Sequence, residues 1–108
     1  MLKKAFKLNT SEFKEVFNFG KTIKTPLGII KYKKGIKKYP RFAVVVSKKI
    51  SKKATERNYQ KRRVFAAIKE CYSVFGVFDY ILILNSEIKS IQYKDLITEF
   101  KNIKINSI

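Results

Sequence analysis

The segment from Arg57 to Phe75 constrains this chain more than any other, because a single helical stripe within it changes character partway along. At 3.6 residues per turn, Val64, Ile68, Cys71, Tyr72 and Phe75 fall on one side of a helix, and the same stripe extended backwards lands on Lys61 and Arg57. The apolar end requires a core. The cationic start, Arg57-Asn58-Tyr59-Gln60-Lys61-Arg62-Arg63, calls for an anion near a helix N-terminus, where free amide hydrogens and the positive dipole end add to the side-chain charge. A phosphate backbone meets that requirement.

The rest of the chain agrees. With 25 Lys+Arg against 8 Asp+Glu, its formal net charge of +17 over 108 residues makes it repel itself unless a polyanion surrounds it. Hydrophobic residues at 45% and aromatics at 14% exceed what a disordered basic tail carries, so residues 1–108 read as one folded basic domain. No apolar run approaches the roughly 18–20 residues of a membrane span. Met1-Leu2-Lys3-Lys4-Ala5-Phe6-Lys7 lacks the apolar block of a signal peptide, so a cytoplasmic location is expected. The one cysteine, Cys71, lies on the apolar stripe and reads as a small core residue.

Periodicity predicts the order αβββαβα. A first helix over Thr10 to Phe19 has Thr10 placed to cap it, Glu12 and Glu15 near its positive end, Phe13, Val16 and Phe17 at i, i+3 and i+4, and Gly20 to end it. Two strands follow between Lys21 and Lys34, broken at Pro26, and then a turn from Lys33 to Pro40 carrying Gly35. The β-branched run Arg41 to Ser47 reads as a central strand covered on both faces. A long helix from about Thr55 to Phe75, a strand over Phe78 to Leu84 and a last helix carrying Tyr93, Leu96, Ile97, Phe100 and Ile103 complete an α+β fold, a two-layer sandwich.

Between Lys31 and Arg63 fourteen cations meet one acid, Glu56, so ion-pair lacing does not account for them. Those of the Lys33–Lys38 turn are either a solvated surface or part of the anion site. Ser47-Lys48-Lys49 at a strand end, with Arg57, Lys61 and Arg62 within two turns of a helix start, can converge on a few phosphates. That signal is specific for polyanions and not for sequence. Phe13 and Phe17 share one side of the first helix, where they are either core or stacking surfaces for unpaired bases. Tyr32 is a usable base platform if its strand alternates an apolar face with Lys31 and Lys33 on the other. Protein-borne catalysis has little to work with. Histidine is absent, the acids are scattered, and neither a P-loop nor a glycine-rich dinucleotide turn occurs.

Several of these stretches resemble the protein subunit of bacterial ribonuclease P. The similarity runs through Arg41-Phe42-Ala43-Val44-Val45-Val46-Ser47-Lys48-Lys49, then Ala54-Thr55, Arg57-Asn58 and Lys61-Arg62, like that family's R-N-R-x-K-R helix preceded by a strand ending in S-K-K. Phe13, Phe17, Gly20, Tyr32 and Asp79-Tyr80 extend it over nearly the whole chain. The resemblance implies a left-handed βαβ crossover carrying the basic helix, as in the ribosomal S5 domain 2-like fold. It implies partners as well, a catalytic ribonuclease P RNA that uses Mg²⁺ and precursor tRNA whose 5′ leader is removed, with no membrane and no small-molecule substrate. By position, Lys48, Lys49, Lys53, Arg57, Asn58, Lys61 and Arg62 would face the catalytic RNA, and Phe13, Phe17 and Tyr32 would line the leader cleft. No protein ligand for Mg²⁺ is implied.

The chain departs from the family pattern at Tyr59, usually arginine, which puts Arg63 forward as a substitute RNA contact. Phe65 and Ala66 replace a second arginine and an acid, and the Ile50–Glu56 connection is one residue longer. The rival classes are a ribosomal-type structural RNA-binding protein, a basic peripheral membrane protein and an independent protein nuclease.

Overall fold

The computed structural model describes residues 6–103; the start of the basic N-terminal stretch, residues 1–5, and the chain end, 104–108, lie outside the described residues. Helix α1 spans Thr10–Phe19, and its cap is Asn9 rather than the expected Thr10. Asn9 Oδ1 accepts the Glu12 N–H at 2.8 Å while Glu12 Oε1 accepts the Asn9 N–H at 2.9 Å. This reciprocal capping box satisfies backbone donors at both positions, which a threonine one residue later does not do. Gly20 ends the helix by close approach: a Cβ there would lie 2.5 Å from the Val16 carbonyl oxygen and 2.9 Å from that of Tyr32.

Strands β1 (Lys21–Thr25) and β2 (Gly28–Lys33) form an antiparallel hairpin around Pro26 and Leu27. Strand β3 (Arg41–Val45), helix α2 (Ala54–Glu70), strand β4 (Asp79–Leu84) and helix α3 (Tyr93–Lys101) follow, in the expected order. Helix α2 stops short of Phe75 because Cys71 leaves the helical region, at φ −112° and ψ 32°, and a 3₁₀ turn at Tyr72–Val74 takes over. Val64, Ile68, Cys71 and Phe75 are all buried, so the apolar stripe survives the change of helix type.

The sheet order is β1-β2-β4-β3, with β3 parallel to β4 and the other neighbours antiparallel. Strand β3 is therefore an edge, against the expectation of a central strand; β4 holds the interior position beside it. A β-branched run reports burial, and here the burial on β3's free side comes from the chain's own N-terminal segment. Lys7 bridges Phe42 in parallel, and the Leu8 N–H donates to the Phe42 carbonyl at 3.0 Å.

Strand alternation divides the core unequally. Phe42, Val44, Tyr80, Leu82, Leu84 and Ile30 face α2 and α3, where Ile68, Leu96 and Phe100 close the main core. The intervening residues face α1, which contributes one fully buried side chain, Val16. The molecule is thus three layers, α1, sheet, and α2 with α3, and not the expected two. An apolar stripe marks a burying face on each helix, on α2 only in its C-terminal half, and such a stripe does not say which sheet face a helix takes.

Candidate nucleic-acid interface

The loop after β3 is a tight turn in which the Ile50 and Ser51 N–H groups both donate to the Ser47 carbonyl, at 3.1 and 3.4 Å. Ile50 is buried and anchors the turn, while Lys48 and Lys49 stand exposed at its tip. Helix α2 then begins at Ala54 with Lys53 at its N-cap and no side-chain cap, so its first amide hydrogens remain available to an anion. Arg57 joins the two pieces. Its Nη1 donates to the carbonyls of Ser51 at 3.0 Å and Lys52 at 2.9 Å, holding the basic loop against the first turn of the helix.

One turn further along, Lys61 continues the Arg57 stripe. Asn58 and Arg62 form an exposed neighbouring strip, displaced by about 100° around the helix. The structure thus gathers Lys48, Lys49, Lys53, Arg57 and Lys61 at one end of α2, with Asn58 and Arg62 adjacent. Among the described residues, the cations in ion pairs are Lys33 and Arg41, so none of this group has a carboxylate partner. Arg63 behaves differently. Its guanidinium donates to Gln60 Oε1 at 2.7 Å and to the carbonyls of Ile88 at 3.0 Å and Ile91 at 2.5 Å, tying α2 to the segment before α3. Lys7 escaped the sequence reasoning: its Nζ lies over the Phe65 ring, 4.8 Å from the centroid. A cation therefore covers position 65, supplied by a segment that only the tertiary fold brings there.

On the α1 face, Phe13 and Phe17 stack on each other with centroids 6.0 Å apart and planes inclined by 10°. Phe17 is 46% exposed, so the pair is a surface feature and not core. Lys31 places its ammonium 5.1 Å from the Phe17 centroid. Register carries this platform onward across the sheet: Lys31 and Ala43 flank Ile81, and Ile29 and Val45 flank Ile83. Ile29, Ala43, Val45 and Ile83 are partly exposed, forming an apolar floor that runs from Phe17 to the strand leading into Lys48. Tyr32 is not on it. Its ring packs against Phe78 at 5.4 Å and Tyr80 at 6.5 Å, on the α2 and α3 side. Alternation put Tyr32 and Lys31 on opposite faces; the position of α1 decided that Lys31, and not Tyr32, joins the phenylalanines.

Helix α1 is held over this floor by Arg41. Its Nε and Nη2 donate to the two Asp79 carboxylate oxygens at 3.0 and 2.9 Å, and its Nη1 donates to Glu12. The Asn9 amide, with Arg41 beside it, holds the Glu12 carboxyl below its usual value. Glu12, Arg41 and Asp79, with Glu15, Lys33, Lys34 and Gly35, line a cleft of about 300 Å³ in which every charge but that of Lys34 is paired, unlike those of α2. Gly35 is required by close approach, since a Cβ there would meet Asp79 Oδ2 at 2.5 Å. Cys71 is core as expected. Its thiol donates to the Ala67 carbonyl at 3.0 Å, and burial pushes its pKa up.

Among the described residues no group of three or more His, Cys, Asp or Glu side chains is placed to hold a metal ion, and no helix is long and apolar enough to cross a membrane. Comparison with known proteins bears on the family of the whole chain. The family model described as Ribonuclease P matches residues 2–105. A ribonuclease P protein component from Mycoplasma mycoides subsp. mycoides is 32% identical over 99 residues, covering 86% of this chain and 90% of that protein. Another, from Blochmanniella pennsylvanica, is 34% identical over 103 residues, covering 94% and 89%. In fold, the chain is similar to the RNase P protein of Thermotoga maritima, with TM-score 0.78 at 23% identity over 91% of this chain and 97% of that one. The Staphylococcus aureus RNase P protein gives TM-score 0.78 at 20% identity, covering 91% of each chain. By sequence and by fold, then, this chain belongs to the ribonuclease P protein component family.

Proposed function

We propose that this chain is the RNA-binding subunit of a ribonuclease P holoenzyme in which the RNA subunit, with Mg²⁺, cleaves the 5′ leader from precursor tRNA. The observation that carries the proposal is the unpaired cation group at the start of α2, locked to the Ser47–Lys53 loop by Arg57. Lys48, Lys49, Lys53, Arg57, Asn58, Lys61 and Arg62 would screen phosphate repulsion between the catalytic RNA and its substrate. Arg63, whose donors are engaged within the chain, would contribute by holding the helix in place. The β3–α2–β4 crossover is taken, on the family resemblance, as left-handed. Mg²⁺ belongs to the RNA in this scheme: the Glu12 and Asp79 carboxylates are already taken by Arg41. The setting of such an enzyme is the cytoplasm.

The leader of precursor tRNA would lie along Phe13, Phe17 and Lys31. Mature tRNA lacks the leader and would keep only the contacts made by the RNA subunit. Binding energy gained on the leader would then favour substrate over product. Cleavage of precursor tRNA at low Mg²⁺ by the RNA subunit, with and without this protein, tests the proposal, and strong stimulation is expected. Each neutralised phosphate contributes about 0.7 to 0.9 to the slope of log affinity against log salt. Lys61→Ala and Arg62→Ala should therefore each flatten the slope by about one unit. No stimulation, together with an unchanged slope in both variants, would favour a ribosomal-type structural protein.

A further inference from the structure

Tyr59 is 53% exposed on the outward side of α2, next to the Asn58 and Arg62 strip and away from the Arg57 and Lys61 stripe, and the apolar core makes no use of its ring. Helical geometry puts Asn58 and Arg62 on one flank of the ring and Arg63 on the other, with Thr55 a turn before it. Exposed tyrosine is a weaker helix former than the Lys, Arg or Gln residues around it, so local stability does not account for its presence. What supports the ring is the Arg63 guanidinium, whose carbon lies 6.0 Å from the ring centroid. That guanidinium is itself immobilised by Gln60, Ile88 and Ile91. The ring is therefore backed by a fixed cation and open on its other side.

From this the geometry points to Tyr59 as a stacking platform for one unpaired nucleobase of the RNA that α2 faces. The inference rests on the α2 surface being an RNA interface, as proposed above. Three physical features favour a base over other occupants. Cations beside the ring bring phosphates, and hence nucleotides, within reach of it. An isolated ring among charges offers no apolar neighbours to a protein partner, whereas any base has a π-face to lay on it. A ring already restrained by Arg63 loses little freedom on stacking, so more of the contact energy remains as affinity. Where a cation at position 59 would add one more sequence-blind phosphate contact, an aromatic ring selects unpaired nucleotides over duplex.

Affinity for the ribonuclease P RNA alone, measured across a range of salt, tests the inference with four variants: Tyr59→Ala, Tyr59→Phe, Lys61→Ala and Arg62→Ala. Thermal unfolding of each establishes that it is folded. Tyr59→Ala should weaken binding about 5- to 150-fold, the range for losing a base-stacking aromatic, and leave the salt slope unchanged. Tyr59→Phe should remain within about twofold of the parent, since stacking needs the ring and not the hydroxyl. Adding precursor tRNA to the same titrations separates the sources of the base. A loss seen only in its presence assigns the nucleobase to the tRNA and supports the platform there. Unchanged binding by Tyr59→Ala in both arms, while Lys61→Ala and Arg62→Ala flatten the slope, would overturn the platform and leave the RNA interface standing. If the two cation variants also bind like the parent, the interface itself fails. An equal loss in Tyr59→Phe and Tyr59→Ala would overturn stacking in favour of a hydroxyl hydrogen bond.

Discussion

Replacing Arg41 with methionine should unfold this protein more readily than any surface change, for a reason legible in the Asp79 environment. The Arg41 and Asp79 side chains are 5% and 9% exposed, and they are joined through both carboxylate oxygens. The methionine side chain would fill much of the volume but leave the Asp79 carboxylate buried with no partner, and breaking one side of such a pair costs about 3–5 kcal/mol. Glu12 adds less, because it is partly solvated and retains its Asn9 hydrogen bonds. At about 4 °C or more per kcal/mol for a domain of this size, the melting temperature should fall by at least about 12 °C. The pairwise nature of the effect is testable by a double-mutant cycle in urea. Arg41→Met with Asp79→Leu should recover most of the loss, since replacing a whole buried pair by apolar residues is often neutral. A destabilisation below about 1 kcal/mol for Arg41→Met, or a double variant no better than the single one, would refute the buried-charge argument.

The depressed Glu12 pKa, caused by the Asn9 backbone hydrogen bond and then by Arg41, has a defined sign. Its stabilisation is present above the unfolded value near 4.5 and is lost as pH falls through the lower folded value. Urea stability of the parent should therefore exceed that of Glu12→Gln at about pH 6, and the gap should close on acidification; a gap that widens would contradict the assignment. Gly28→Ala combines a φ of +140° with a Cβ placed 2.1 Å from the Ile83 carbonyl oxygen. Denaturant titration should show a loss above about 1–3 kcal/mol, the scale of backbone strain alone. Phe17→Ala, at an exposed position, should leave the urea midpoint nearly unchanged while reducing the preference of the holoenzyme for precursor over mature tRNA about 5-fold or more. Equal weakening for both tRNAs would place the loss outside the leader contact.

Local patterns in the sequence determined the elements and the charge of the site. The apolar spacing of Val64, Ile68, Cys71 and Phe75, the break at Pro26 and the runs at Arg41 and Asp79 yield the observed helices and strands within a few residues, because periodicity is a property of neighbouring positions. The cation group on α2 was equally legible, since the Arg57 and Lys61 stripe follows from helix geometry alone. Properties that depend on the far side of the fold were not. Whether β3 is an edge, whether Phe17 meets Tyr32 or Lys31, and whether α1 shares a layer with α2 depend on which sheet face each helix takes. That choice is made by contacts between residues distant in sequence. Three of the four arginines show the same division most plainly. Arg41, Arg57 and Arg63 are alike as letters in a basic sequence, yet Arg41 is buried on two carboxylates, Arg57 braces a loop and Arg63 is bound to carbonyls beyond α2. A guanidinium bonds whatever acceptors the fold brings within reach, and those acceptors are positioned only when the sheet and helices pack together.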